Sequence, residues 1–254
     1  MSLVVPRRTP VATRPALLGE IGVVVVLVAV YDRIRDIAAT RTDLAFADAA
    51  RVLRVESWLH LDVEHPVNHW LASHWHVEWA ASVYYQLMHL TVTLGVLSWL
   101  YLARPDRYRS ARNALVYVSG LGLVVFWLMP VAPPRLLAGF VDSGAVTGIA
   151  EHTAHVSPDL YAAMPSLHVA WATWVVLQVG PAVRSELVRW VVVTHAAITV
   201  AVVVTTANHF VLDVIAGAAT AMLATWLAAV PAISRTPREE PVRAAAAAGV
   251  RSPL

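Results

Sequence analysis

The sequence predicts an all-α integral membrane protein with six transmembrane helices. The 254-residue chain is 58% hydrophobic and only 14% charged, whereas soluble domains carry about 25% charged residues. Six apolar runs approach or reach the roughly 20 residues that a helix needs to cross a bilayer. The runs are residues 16–31, 80–103, 113–131, 166–183, 187–207 and 209–231. The first and fourth runs are the shortest, and the first contains Glu20.

The distribution of arginine orients this predicted bundle. All nineteen basic residues are arginine, and thirteen lie in the N-terminal segment, the loop after the second run, the turn after the fourth and the C-terminal tail. These four segments fall on one side of a six-span bundle. Because arginine-rich short loops stay in the cytoplasm, we expect a multi-pass protein of the cell membrane with both termini cytoplasmic. The first run leads into YDRIRD without a small-residue cleavage site, so we expect it to be retained.

The chain divides into four predicted segments. Residues 1–15 form a cytoplasmic N-terminal segment, and residues 16–79 form the first span and an extracytoplasmic amphipathic segment. Residues 80–231 form the membrane core, and residues 232–254 form a disordered cytoplasmic tail. Apolar residues at helical spacing between 44 and 59 predict one or two interfacial helices in the first outer loop. Packing against the ends of the bundle is the simpler role for them.

Composition excludes several chemistries. The chain has no cysteine, which excludes disulfides and thiolate catalysis, and it has no lysine to act as a base or Schiff-base amine. Five histidines lie between residues 60 and 76, but no HExxH pattern accompanies them, so we expect no metal site there. His195 lies in the middle of the fifth run, where an inter-helical hydrogen bond is its expected role.

A histidine and an aspartate mark the start of the sixth run, in the stretch NHFVLD. His209 and Asp213 are four residues apart, which places them on one face of a helix. A carboxylate there can accept the proton of one imidazole nitrogen and leave the other nitrogen free to attack or to accept a proton. An acidic residue one turn inside a membrane is a candidate functional group, although a structural His–Asp pair between helices is the alternative.

Further polar residues begin the fourth run, in the stretch MPSLH. Ser166 is the expected N-cap, and the free N–H groups of a helix start suit a phosphate. His168 lies in the first turn, where it could act as an acid or base. Arg135 follows two prolines in the loop between the third and fourth runs, and its planar guanidinium matches phosphate oxygens. With six spans, Arg135, His168 and His209 all reach the outer face of the bundle.

These motifs resemble the PAP2 (type 2 phosphatidic acid phosphatase) superfamily over about residues 80–231. MPSLH and NHFVLD look like its second and third signature motifs, and APPRLL fits the position of the first. The branch that the sequence most resembles contains the inositol phosphorylceramide synthases. The resemblance implies a six-helix membrane bundle with its site at one membrane face, and a chemistry that needs neither metal nor cofactor.

The resemblance also implies roles for individual residues. His209 would be the nucleophile that forms a phosphohistidine, Asp213 would orient it, and His168 would protonate the leaving oxygen. Arg135 and Ser166 would hold the phosphoryl oxygens. His89, in YYQLMHLTV near the outer end of the second run, is a candidate to line the lipid or acceptor pocket.

The sequence departs from the family pattern at three places. Leu128 occupies the position of a lysine in the first motif, Leu167 replaces a frequent glycine in the second, and Val202 and Val203 replace the Ser-Arg that often precedes the third. Two usual cations are therefore missing from the predicted site. The residues that could compensate are Arg33, Arg35, Arg54 and His89.

Three functions fit these features. The first is a lipid phosphatase or phosphotransferase acting on a phospholipid or polyprenyl-type lipid phosphate, with water or an inositol-like polyol as acceptor. The second is a protein that binds or transports a lipid phosphate without turnover, which would not need the His–Asp pair. Serine hydrolysis at Ser166 is disfavoured because the sequence lacks G-x-S-x-G. The expected partners are lipids, with no nucleic acid, and the choice between hydrolase and transferase stays open.

Overall fold

The computed structural model describes residues 14–148 and 161–233, which fold into helices without strands. Most of the predicted N-terminal segment 1–15 and tail 232–254 lies outside these residues. The helices are α1 (Leu17–Ala39), α2 (Thr42–Leu59), α3 (Glu64–Ala72), α4 (Trp75–Ala103), α5 (Pro105–Leu128), α6 (Ser143–Val146), α7 (Leu167–Val179), α8 (Glu186–Thr205) and α9 (Val211–Ile233). Short 3₁₀ turns occupy Pro134–Leu136 and Gly180–Ala182.

Four of these helices are long and apolar enough to cross a membrane, as far as the described residues show: α4, α5, α8 and α9 as far as Val230. This result supports the predicted membrane protein. The structure does not confirm the predicted count of six spans. Helix α7 has thirteen residues and is about 20 Å long. Helix α1 carries Glu20 within its apolar run and Asp32 and Arg33 directly after it.

Helix α7 is the central element of the bundle, because it packs against α4, α5, α8 and α9. Trp174 is fully buried and donates its indole N–H to the carbonyl oxygen of Ala111 in α5, at 3.0 Å. Small residues let α7 and α9 approach closely. A Cβ atom at Gly217 would lie 2.4 Å from the carbonyl oxygen of Ser166, so only glycine fits there. This contact fixes the start of α7 against α9.

Glu20, the charge in the first apolar run, is accommodated by α5. Its side chain is largely buried and accepts hydrogen bonds from the Tyr108 hydroxyl at 2.9 Å and from Arg112 at 3.1 Å. A buried carboxylate needs such partners. Helix α1 is thereby attached to α5 at the end of the bundle opposite to Arg135 and His209.

The segment between residues 32 and 79 forms two helices, α2 and α3, that pack on the bundle. Helix α2 contacts α1 and α9, and α3 contacts α4 and α8. The inward face of α2 is Ala45, Asp48, Ala49, Val52 and Glu56. This face differs from the predicted apolar stripe, because Val55 and Leu59 are exposed. An interfacial position in the outer leaflet stays a prediction.

Candidate active site

The loop after α8 places His209 at the start of α9. Thr206 closes α8, Ala207 adopts a left-handed backbone with φ of 51°, and the backbone N–H groups of Asn208 and His209 both donate to the carbonyl oxygen of Val203. His209 is buried, with 4% of its surface exposed, and lies just before the first residue of α9. The backbone of His209 is therefore positioned by a short turn whose N–H groups all donate hydrogen bonds to carbonyl oxygens of α8.

The hydrogen bonds of His209 define its tautomer. Its Nδ1 lies 2.8 Å from the carbonyl oxygen of Ala163 and 3.5 Å from Oδ2 of Asp213. A carbonyl oxygen only accepts, so Nδ1 carries the proton and Nε2 keeps its lone pair. Asp213 thus faces the ring as predicted, but the shorter bond goes to the Ala163 carbonyl. Nε2 is buried and has no hydrogen-bond partner in the described part of the chain.

Asp213 is fully buried in the first turn of α9. Its Oδ2 accepts the backbone N–H of Phe210 at 2.9 Å, which orients the carboxylate toward His209. The backbone carbonyl of Asp213 accepts the N–H of Ser166 at 3.0 Å. Asp213 therefore connects the two histidine motifs. Its side chain faces His209 in NHFVLD, and its backbone carbonyl bonds to Ser166 in MPSLH.

Ser166 is the N-cap of α7, as the sequence predicts. Its side-chain oxygen accepts the backbone N–H of Val169, and the residue is fully buried. His168 then lies in the first turn of α7, with its ring centroid 5.7 Å from that of His209. Its Nε2 is also buried and lacks a partner among the residues described. Two imidazoles with unused nitrogens therefore lie next to each other.

His89 packs directly on His168, with ring centroids 4.1 Å apart, and Tyr85 stacks on the same ring at 4.2 Å. The sequence placed His89 near the end of its span, whereas the structure places it at the midpoint of α4. The difference arises because α4 begins at Trp75, several residues before the predicted start. His168 consequently lies deep beside α4, and the site is recessed within the bundle.

Arg135 approaches the site from the loop after α5. Its backbone N–H donates to the Ala207 carbonyl at 2.8 Å, and its Nη1 donates to Oδ1 of Asn208 at 2.7 Å. Its Nε lies 3.6 Å from Oδ2 of Asp142. The guanidinium is thus attached to the residue that precedes His209, and the predicted convergence of Arg135, His168 and His209 is present in the structure.

The four residues predicted to compensate for the missing cations do not all lie at the site. Arg54 is on the exposed side of α2, where it lines an open depression with Arg51, Val55 and Trp58. Arg33 is exposed on α1, and the side chain of Arg35 lies outside the described part. Among the members of this set whose side chains the structure describes, His89 is the one that contacts His168. Val202 and Val203, at the usual Ser-Arg positions, line a narrow cleft beside His168 together with Tyr84, Tyr85, His89 and Thr199.

Sequence reasoning missed several groups at this site. The Ala163 carbonyl has no sequence signal, because every residue carries one. Asn208 and Asp142 hold Arg135. Asn208 is 73 residues away in the chain, and no motif marks Asp142 as a partner. Glu56 and Glu64 accept backbone N–H groups of α9 at 2.7 Å each. For Glu56 a signal existed, because it continues the spacing of the small residues Ala45, Ala49 and Val52 along α2.

The remaining histidines lie elsewhere. Nδ1 of His195 accepts or donates a bond with the Tyr84 hydroxyl at 2.7 Å, which confirms the expected inter-helical hydrogen bond. His69 bonds to the Gly139 carbonyl, and the ring of His65 packs at a tilt against His69 and edge-to-face against Phe140. Among the described residues, no group of three potential ligands could hold a metal ion.

Comparison with known proteins identifies the family. A family model described as the PAP2 superfamily matches residues 50–227, which is more than half of the chain. The chain therefore belongs to the PAP2 superfamily. No curated protein and no solved structure matches it significantly.

Proposed function

We propose that this member of the PAP2 superfamily is a membrane-embedded, metal-independent lipid phosphatase or phosphotransferase. Membership of the superfamily suggests a phosphatase-type function. The observation that carries the proposal is the pair of neighbouring imidazoles, His168 and His209, each with a buried Nε2 that has no partner among the described residues. Such groups are costly unless they meet a ligand.

His209 is the proposed nucleophile. With its proton fixed on Nδ1 by the Ala163 carbonyl, the Nε2 lone pair attacks phosphorus, a P–N bond forms and the bond from phosphorus to the lipid oxygen breaks. The phosphorylated ring becomes cationic, and Asp213 at 3.5 Å stabilises this charge. His168 enters this step as the imidazolium, gives the proton of Nε2 to the departing lipid oxygen and becomes neutral.

The second step regenerates the enzyme. His168 takes a proton from water or from an alcohol, the resulting oxygen nucleophile attacks phosphorus, and the P–N bond breaks. Water yields free phosphate, and a polyol yields a new phosphate ester. Both outcomes use the same residues, so the acceptor is selected by the shape of the space beside His168.

Arg135 is the proposed cation for the phosphoryl group. Asn208 and Asp142 hold its guanidinium in one orientation, which suits the transfer of a planar PO₃ group. The first N–H groups of a helix have no partner within that helix, so the backbone amides of Leu167 and His168 are further donors. Ser166 acts here by capping α7, and its hydroxyl proton is a further donor.

The lipid leaving group is proposed to enter between α4, α7 and α8, where the cleft beside His168 is closed in this structure and must widen to admit it. Val202 and Val203 give one wall of this cleft an apolar surface, and Tyr84, Tyr85 and His89 form the other. An apolar and aromatic cleft suits a lipid better than a charged headgroup. The arginine distribution supports an extracytoplasmic position for this end of the bundle, with both termini in the cytoplasm.

The test uses purified protein in detergent micelles with EDTA and a panel of phosphate-labelled lipids, with and without polyol acceptors. His209→Ala is the inactive variant, and His76→Ala, at an exposed histidine of α4, is the matched control. Free phosphate in the wild type and control but not in His209→Ala supports a phosphatase, and label moved to a polyol supports a transferase. If no lipid is turned over and His209→Ala binds lipid as the wild type does, the protein binds lipid phosphates without catalysis.

A further inference from the structure

The first turn of α9 is capped by three carboxylates from three helices. A helix leaves its first N–H groups without partners. Here the N–H of Phe210 donates to Asp213, that of Val211 donates to Glu64 of α3, and that of Leu212 donates to Glu56 of α2. The last two bonds measure 2.7 Å and join residues about 150 positions apart in the chain. His209 immediately precedes this turn.

These carboxylates are buried together. Glu56 and Asp213 are fully buried, and Glu64 is 1% exposed. Oε2 of Glu56 meets no donor in the described part of the chain. The carboxyls of Glu56 and Glu64 accept N–H groups of successive residues of α9, which brings them close together. Two neighbouring buried carboxylates cannot both ionise cheaply. One proton held between Glu56 and Glu64 gives Oε2 a partner and removes one of the three charges.

Burial raises the pKa of both glutamates, which lie outside the membrane-spanning helices. Burial raises the pKa of Glu56 from its ordinary value of 4.5 to about 8, and the negative charges of Glu64 and Asp213 add to this shift. Burial also raises the pKa of Glu64, with Asp213 contributing again. The ionisable groups that act on the pair are therefore each other and Asp213.

We propose that Glu56 and Glu64 are positioning residues for His209, forming a carboxyl pair that holds one proton and fixes the first turn of α9. The functional part of this inference rests on the proposed phosphoryl transfer at His209. In this arrangement α2 and α3 set the position of the nucleophile from outside the helix that carries it. The shared proton also keeps a further negative charge away from a site built to receive an anionic phosphate.

The pair has a defined pH dependence. In the folded protein it keeps a proton that the unfolded chain releases above pH 4.5, the ordinary pKa of glutamate. A raised pKa means that the pair stabilises the fold fully at low pH, and that this contribution is lost as the pH rises to about 8. Loss of the proton gives the pair a second negative charge beside Asp213. Activity should therefore fall as the pH rises through about 8.

Conservative variants test this inference. Glu56→Gln keeps an oxygen for the N–H of Leu212 and an N–H for Glu64 but cannot ionise, whereas Glu56→Ala leaves the N–H of Leu212 without its acceptor. Glu64→Gln is the corresponding change in α3. Glu186→Gln, at an exposed residue of α8, is the matched control. Activity is measured from pH 6 to 9, each variant relative to its own maximum, and melting temperature in micelles is measured from pH 5 to 9 by tryptophan fluorescence.

We expect the wild type and Glu186→Gln to lose half of their maximal activity at about pH 8 and Glu56→Gln to lose this alkaline decline. Glu56→Ala should lose more than tenfold in activity at every pH. The wild-type melting temperature should fall between pH 5 and 8, and that of Glu56→Gln should fall less. An unchanged pH profile and an unchanged melting curve in Glu56→Gln would overturn the proposal.

The two readouts separate this inference from the proposed function. If no lipid is turned over but Glu56→Gln flattens the melting curve, the carboxyl pair is correct and the enzyme proposal fails. If lipids are turned over and Glu56→Gln behaves as the wild type in both assays, the pair is wrong and the enzyme proposal stands.

Discussion

Replacing Asp213 by asparagine removes the charge beside His209 while keeping the shape of the side chain. Asparagine retains an oxygen that can accept the N–H of Phe210, the bond that Asp213 makes at 2.9 Å. The Ala163 carbonyl still holds the proton of His209. The substitution therefore tests one function of Asp213, the stabilisation of positive charge on the phosphorylated imidazole.

The magnitude follows from the distance. Unit charges 3.5 Å apart interact by about 5 kcal/mol at an effective dielectric constant of about 20. The amide dipole of asparagine and the Ala163 carbonyl retain part of this stabilisation, so we expect kcat to fall by about 10²- to 10³-fold. The melting temperature should change little, because no buried donor loses its acceptor.

The assay is release of labelled phosphate from the best lipid of the panel, with melting temperature measured on the same preparation. Asp106→Asn, at an exposed residue in the first turn of α5, is the matched control and should retain wild-type kcat. A loss of less than about fivefold in a stable Asp213→Asn protein would refute the electrostatic role, since charge stabilisation of this size exceeds 1 kcal/mol.

Three other substitutions test the packing and the phosphate contact. Gly217→Ala places a Cβ 2.4 Å from the Ser166 carbonyl and should destabilise the protein by about 1–3 kcal/mol, whereas Gly95→Ala, where nothing lies within 4 Å, should not lower the melting temperature. Arg135→Lys keeps the charge but cannot contact both Asn208 and Asp142 as the guanidinium does, so kcat should fall at least tenfold; wild-type activity would contradict the proposed role. Glu20→Ala leaves Arg112 and Tyr108 without their acceptor and should lower the free energy of unfolding by about 1–3 kcal/mol. The double variant with Arg112→Ala should lose less stability than the sum of the two single changes. Strict additivity would exclude the pairing.

The sequence predicts the residues of the site better than their contacts. His168, His209, Asp213 and Arg135 carry recognisable spacing and motifs, and the structure brings them together. The partner of His209 could not be predicted, because the Ala163 carbonyl belongs to the backbone. The predicted position of His89 near the end of its span was wrong, because apolar composition alone does not show that α4 begins at Trp75.

The contribution of α2 and α3 required the tertiary structure. Helical spacing predicts that residues near 44–59 form a helix, and α2 does form there. Nothing in the sequence connects Glu56 or Glu64 to the backbone of α9 about 150 residues later. Long-range bonds between a side chain and a backbone N–H have no pairing code, because any acceptor at the right position can make them.

The most direct test of the account is to trap the covalent intermediate. Wild-type protein and the His209→Ala and His168→Ala variants are mixed with phosphate-labelled lipid, quenched in alkali and examined by peptide mass spectrometry. The account predicts an alkali-stable, acid-labile phosphate on His209 in the wild type and none in His209→Ala. Label on another residue, or phosphate release by His209→Ala at the wild-type rate, would contradict it.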